Sequence, residues 1–426
     1  MKKIFYLFLV AVVLTFTSCG GDDPAPVSCT DGIQNQGEED IDCGGPCTAC
    51  QVANEDVTGL ITSNTTWTKD RIWVLNQKVV VGNGVTLTIE AGTIIKGAEG
   101  QLSLSSALII AQGGKLMAEG TASEPIIFTS ILDNIAVGET AGPNLDINDS
   151  GLWGGVVVLG KAPISISGDV ESGNIEGIPS DETFGVYGGT NTADNSGTLS
   201  YISIRHGGIT IAPDNELNGL TLGGVGSGTT ISNIEVVANQ DDGVEFFGGT
   251  VNPTNLVVWA QGDDGLDIDQ AYAGTITNAV VALGASSGSA LEIDGPEGSS
   301  ATADSFTLND ITLIGYAGGG SKYADYRKSA LGANNNIFAY GFDAGSNVKF
   351  QSGSEVTFQD GDLTFANWEI VLPAGDTIDG IPSGDVIVGT ESNFTDHATG
   401  VTAGNETVGA TMSSFDWTYA HANGAF

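Results

Sequence analysis

The chain has 426 residues, of which 62 are glycine, and carries 52 acidic side chains against 13 lysines and arginines, a formal net charge of -39. Such a charge argues against nucleic acid or an anionic lipid surface as partner, since both would be repelled. With 41% hydrophobic residues spread along its length it is no disordered acidic polymer, which leaves a Gly-rich, Asp-rich, Lys-poor β protein.

Lys2 and Lys3 precede an apolar run from Ile4 to Phe16, and Thr17-Ser18-Cys19 follows. A basic start, a short apolar stretch and small residues predict a secretory signal over residues 1–18, too short to span a bilayer comfortably. Ending on Cys19, it resembles a bacterial lipoprotein signal, which implies lipidation of that cysteine. Gly20-Gly21-Asp22-Asp23 resembles the acidic tag of lipoproteins sent to the outer face of the outer membrane. Residues 19–28 then read as a tether, the expected location is the cell surface of a Gram-negative bacterium, and the membrane is met through the lipid alone.

Setting Cys19 aside leaves Cys29, Cys43, Cys47 and Cys50, an even set in an exported chain. Two disulfides are expected in a module over 29–50, with three connectivities open. The Cys43/Cys47/Cys50 spacing also suits zinc, but an oxidising compartment and the lack of a nearby His favour disulfides. The run from Asp31 to Gly45 resembles a small acidic Cys-rich module of bacterial surface proteins. Its oxygens suit one Ca²⁺, or the acids are simply solvated on a stalk.

From residue 51 to 426 a single repeating domain is expected. Short β-branched strands alternate with Gly, Asn and Asp, without a helical period. Asp241-Asp242-Gly243 recurs as Asp263-Asp264-Gly265, and each is followed by an alternating strand, Val244-Glu245-Phe246-Phe247 and Leu266-Asp267-Ile268-Asp269. Leu291-Glu292-Ile293-Asp294 continues the series and Leu220-Thr221-Leu222 begins it. Alternation places Leu220, Val244, Leu266 and Leu291 inward, with Leu222, Phe246, Ile268 and Ile293. Thr221, Glu245, Asp267 and Glu292 then face outward, beside Phe247, Asp269 and Asp294. A second strand per repeat opens with Asn233, Asn255 or Asn278, whose side chains can bond to one another in a column.

Coils of about 22–25 residues cannot bury an apolar face alone, so stacking predicts an all-β, right-handed parallel β-helix solenoid. Lys78–Val81, Val85–Ile89, Gly92–Ile95 and Ala107–Ile110 fit as earlier coils. The stretches 131–150 and 167–198 read as projecting loops, and pieces such as Phe184–Tyr187 and Asp194-Asn195 can roof one face. After about residue 346 the rhythm weakens, which predicts a C-terminal cap with Trp368 and Trp417 closing the core.

Adjacent coils lie about 4.8 Å apart. Glu245, Asp267 and Glu292, with Asp269 and Asp294 alongside and the pairs Asp241/Asp242 and Asp263/Asp264 at the turns, must therefore protonate, recruit cations or splay into water. Oxygen-only clusters of this kind suit Ca²⁺, whereas Asp-Asp-Gly can also be a turn whose carboxylates cap backbone N–H groups. No organic cofactor is expected.

Asn239-Gln240-Asp241-Asp242 locally resembles the acid pair of polygalacturonase-type glycosidases, but that family's Gly-His and Arg-Ile-Lys elements do not follow. A lyase needs a base beside Ca²⁺, and Lys322, Asp325, Arg327 and Lys328 cluster after the acidic coils. Arg205-His206 is a further polar cluster, with Glu235 a candidate partner. No Trp or Tyr stripe marks a sugar platform, though Trp259 can face outward.

The Asn column resembles the ladder of pectate-lyase-like β-helices. Taken together, Thr65–Thr68, Leu87–Thr93, Gly151–Gly155, Ser203–Gly208, Asp241–Gly249 and Gly262–Gly265 resemble a family of exported bacterial lipoproteins with that fold, over roughly residues 57–426. The expected role is non-enzymatic binding or adhesion, toward a polysaccharide or another cell-surface component, with Ca²⁺ ordering the acidic face. The alternative is a Ca²⁺-dependent polysaccharide lyase or a glycoside hydrolase.

Overall fold

The computed structural model describes residues 28–38, 41–47, 53–212, 215–299, 305–319 and 322–426. They fall into two units, Met1–Val52 and Ala53–Phe426. In the first, a disulfide joins Cys29 to Cys47. Cys43 is also disulfide-bonded, while Cys19, Cys50 and the signal segment lie outside the described residues. Asp31 and Gly32 donate their backbone N–H groups to the Asp42 carboxylate, both at 2.8 Å, and Asn35 N–H donates to Glu38 at 3.0 Å. These acids serve the turn backbone.

The second unit winds into parallel coils, from Glu55–Ile61 to Ala398–Gly400, that join 24 strands into one sheet. One face stacks a short strand per coil: Ala107–Ile110, Val156–Leu159, Leu220–Gly223, Val244–Phe247, Leu266–Asp269, Ser289–Asp294 and Lys322–Arg327. Leu220 pairs with Val244, Val244 with Leu266 and Leu266 with Leu291, the register read from the repeat. All four are buried in a continuous interior with Leu222, Phe246, Ile268 and Ile293.

Longer strands such as Thr230–Val237, Thr254–Trp259 and Thr275–Ala282 form the other two faces and the corner between them. The asparagines do not open these strands; they sit at that corner, within them. Asn233, Asn255 and Asn278 have φ of 55°, 58° and 61°, and Tyr201, Asp310, Asn336 and Asn367 occupy the same left-handed position in other coils. Asparagine tolerates that conformation because its short polar side chain bonds locally. Here the bonds run between coils: Asn255 Nδ2 donates to Asn233 Oδ1 at 3.0 Å, and Asn278 Nδ2 to Asn255 Oδ1 at 2.5 Å.

The C-terminal region differs from the sequence expectation. Coils continue past residue 346, since Val348–Phe350 pairs with Pro382–Gly384 and Leu363–Ile370 with Ala398–Gly400. Trp368 is a core residue, packed edge-on against Phe394 of the short helix Ser392–Thr395 at 5.4 Å. Trp417 closes nothing. It belongs to a tail over residues 409–426 that runs back across the outside of earlier coils. Ala410 N–H donates to Thr312, Thr411 N–H to Asn278 Oδ1 at 2.6 Å, and Ala420 N–H to Glu235 Oε1 at 2.7 Å. Phe415 is buried there among Val257, Val280, Ala282 and Ile314.

Candidate metal centre

The period-2 alternation of the short strands points Thr221, Glu245, Asp267 and Glu292 away from the interior, in one register column. The column is not, however, exposed to water. Glu245 is 5% exposed and Asp267 7%, and Asp269 and Asp294 are buried too. The stretch 162–189 and the hairpin of Ile209–Ala212 with Asn215–Leu217 lie over this face. Ile164, Ile175, Ile178 and Tyr187 pack with Phe247, Val157 and Leu159 into a second apolar cluster outside the coil interior. Tyr187 Oη donates to Gln270 Oε1 at 3.0 Å, which pins the roof beside the acids.

The second aspartate of each Asp-Asp-Gly is a turn residue. Asp242 N–H donates to Asn218 Oδ1 at 3.2 Å, and Asp264 N–H to Asp242 Oδ1 at 2.9 Å. Ser289 N–H then donates to Asp264 Oδ1. One side chain per coil thus caps the next coil's backbone, as turn chemistry requires. Asp263 is exposed and Asp241 half-buried.

Three groups of carboxylates nonetheless converge, with oxygens within 4.8 Å of one another: Asp241, Asp242 and Asp263; Asp242, Glu245 and Asp267; and Asp269, Asp294 and Glu297. In the second all three residues are buried. Asn218 Nδ2 donates to Glu245, but Asp267 Oδ1 and Asp269 Oδ1 are buried without a partner among the described residues. Glu176, which descends from the roof to Asn218, adds a further carboxyl. Sequence reasoning missed Glu176, because nothing periodic marks the segment that carries it.

Burial first, and then neighbouring carboxylates, push these groups upward. Glu176 rises to about 8 and Asp241 to about 7. Asp264 rises to about 6 and Glu292 to about 9. Asp242, Glu245, Asp267 and Asp269 are raised well above the carboxylate range for the same reasons. An ionised carboxylate taken from water needs a cation or a proton.

Among the described residues, cations pair with the acids at one end of the column. Arg327 Nε binds Asp294 at 2.7 Å and its guanidinium also meets Glu292. Lys328 Nζ reaches Asp294 at 2.7 Å and Glu297 at 2.9 Å, and Lys322 pairs with Asp325 at 2.6 Å. Among the described residues no basic side chain pairs with Asp242, Glu245 or Asp267. The donor set there is oxygen only, which fits a hard cation such as Ca²⁺. Arg205 and Glu235 do approach, at 4.0 Å, but on a different face, with Ser203 bridging them.

Stacked parallel coils closed around one apolar interior, with an amide ladder at one corner, define a right-handed parallel β-helix. Residues 59–420 match the pectate-lyase like beta helix domain, and the chain belongs to that family. No curated protein and no solved structure matches it.

Proposed function

We propose that this chain is a lipid-anchored protein of the bacterial cell surface that binds a glycan or another surface component without transforming it, and that Ca²⁺ orders its acidic face. The observation that carries this reading is the buried trio Asp242, Glu245 and Asp267, whose Asp267 Oδ1 has no partner among the described residues. Asp242, Glu245 and Asp267 would hold the ion, with Asn218 and Glu176 beside them. The metal neutralises charge there; it is given no substrate, because Ile175, Ile178 and Tyr187 of the roof lie on the same face.

The Ca²⁺-dependent lyase or glycoside hydrolase is the second reading, and one observation favours it. Arg327 and Lys328 stand on the same face as the acids, where a base would be needed. Their ion pairs with Asp294, Glu292 and Glu297 count against it. Calorimetric titration of chelator-treated protein with Ca²⁺ tests the first reading, with Asp267→Asn expected to abolish uptake at this site. Release of unsaturated uronate from polygalacturonate would establish the second instead. Anchoring through Cys19 is tested by fatty-acid labelling, which Cys19→Ser should remove.

A further inference from the structure

The tail and the solenoid flank an open cavity of about 230 Å³ remote from the acidic face, lined by Tyr201, Asn233, Asn255, Ser413, Ser414, Asp416 and Trp417 with Ala122. Tyr201 and Trp417 meet edge to face, ring centroids 5.4 Å apart, so the two rings form a corner. Trp417 Nε1 is buried and has no hydrogen-bond partner among the described residues. That N–H has no surface open to the cavity, so what Trp417 offers a ligand is its ring.

The amide ladder supplies a donor. Each asparagine gives its Nδ2 to the Oδ1 of the preceding coil, from Asn278 to Asn255 to Asn233. The coil before Asn233 carries Tyr201 at the corner position, which offers no amide oxygen. The ladder therefore ends at Asn233, and it ends in this cavity. Asp416, 69% exposed at the side chain, and the hydroxyls of Ser413 and Ser414 provide acceptors on the opposite wall.

We infer that this cavity is a binding site for one sugar residue of a neutral glycan. Apolar ring faces for C–H surfaces, an amide donor, and carboxylate and hydroxyl acceptors match a ring that is apolar on its faces and rich in hydroxyls at its edge. Lining the wall with Asp416, in a chain of net charge -39, disfavours an anionic uronate. The inference rests on the glycan-binding reading above and names its sugar class and place.

The test is a calorimetric titration of the protein truncated before Cys19 with gluco-, manno- and xylo-configured hexaoses and with hexagalacturonate. Variants are Trp417→Ala and Asn233→Asp. The second keeps an oxygen for Asn255 and the left-handed backbone but removes the free donor, so it leaves the tail's own contacts alone. Binding of a neutral hexaose, weakened about tenfold by Asn233→Asp and more by Trp417→Ala, is the expected result. A neutral hexaose bound equally by wild type and both variants overturns this site while the glycan-binding reading stands. Hexagalacturonate bound in preference overturns the neutral class. No binding of any probe overturns the site and the glycan reading together.

Discussion

Glu245 and Asp267 stand directly opposite one another on adjacent coils, and both are more than nine-tenths buried. Two carboxylates in that relationship cannot both ionise without a cation. The roof creates the problem: alternation alone would leave both in water. Among the described residues neither a lysine nor an arginine pairs with either of them.

The metal-free protein should lose stability as pH rises. Asp241, Glu176 and Glu292 are raised to about 7, 8 and 9 in the folded state, from ordinary values of 3.8 to 4.5. The folded chain therefore binds more protons than the unfolded one across that window, so protonation favours folding below it and stability declines as pH climbs through it. In EDTA the melting temperature should fall from pH 5 to pH 9, and Ca²⁺ should flatten the decline. A melting temperature that rises with pH in EDTA would contradict the assignment.

The corner column should be sensitive in a graded way. Asn255 accepts from Asn278, donates to Asn233 and holds φ of 58°. Asn255→Ala loses both bonds and leaves in the left-handed region a side chain without the polar group that lets asparagine tolerate it, for a loss of about 2–3 kcal/mol. Asn255→Gly keeps the conformation and should lose only the hydrogen-bond part. Equal losses in urea titrations of the two variants would remove the conformational explanation.

Glu235 is buried and holds both Arg205 and the tail, through Ser203 and through Ala420 N–H. The Tyr419 ring lies over the Arg205 guanidinium at 4.4 Å. Glu235→Ala strands a buried guanidinium, at a cost of about 3–5 kcal/mol. Limited proteolysis should then cut the tail near residues 405–412 before the coils, whereas wild type resists. A variant cut no faster than wild type in the tail would show that the tail is held elsewhere.

How much of this was legible follows from range along the chain. The inward set Leu220, Val244, Leu266 and Leu291, and the columns beside it, could be read because each coil repeats its neighbour about 22–25 residues on. The Asp-Asp-Gly turns were readable in the same way, and half of each pair does turn chemistry. Alternation separates the inside of a coil from its outside, however, and cannot say what is laid over the outside. Glu176 comes from an aperiodic loop, and Trp417 meets Tyr201 only because the tail reverses over earlier coils. The same holds for two phrases of the family resemblance. Leu152 N–H donates to His206 O and Trp153 Nε1 to Arg205 O at 2.8 Å, an interlocking that neither phrase shows alone.

The most direct measurement is thermal unfolding at pH 8, in EDTA and in millimolar Ca²⁺, of wild type and Asp267→Asn. With Ca²⁺ at about a thousand times its Kd, wild type should gain about 4 kcal/mol, a shift of several degrees. Asp267→Asn should melt above wild type in EDTA, because a buried carboxyl that must either ionise or hold a proton is gone, and should gain little from Ca²⁺. Coincident wild-type curves in EDTA and Ca²⁺ would contradict a metal on the acidic column.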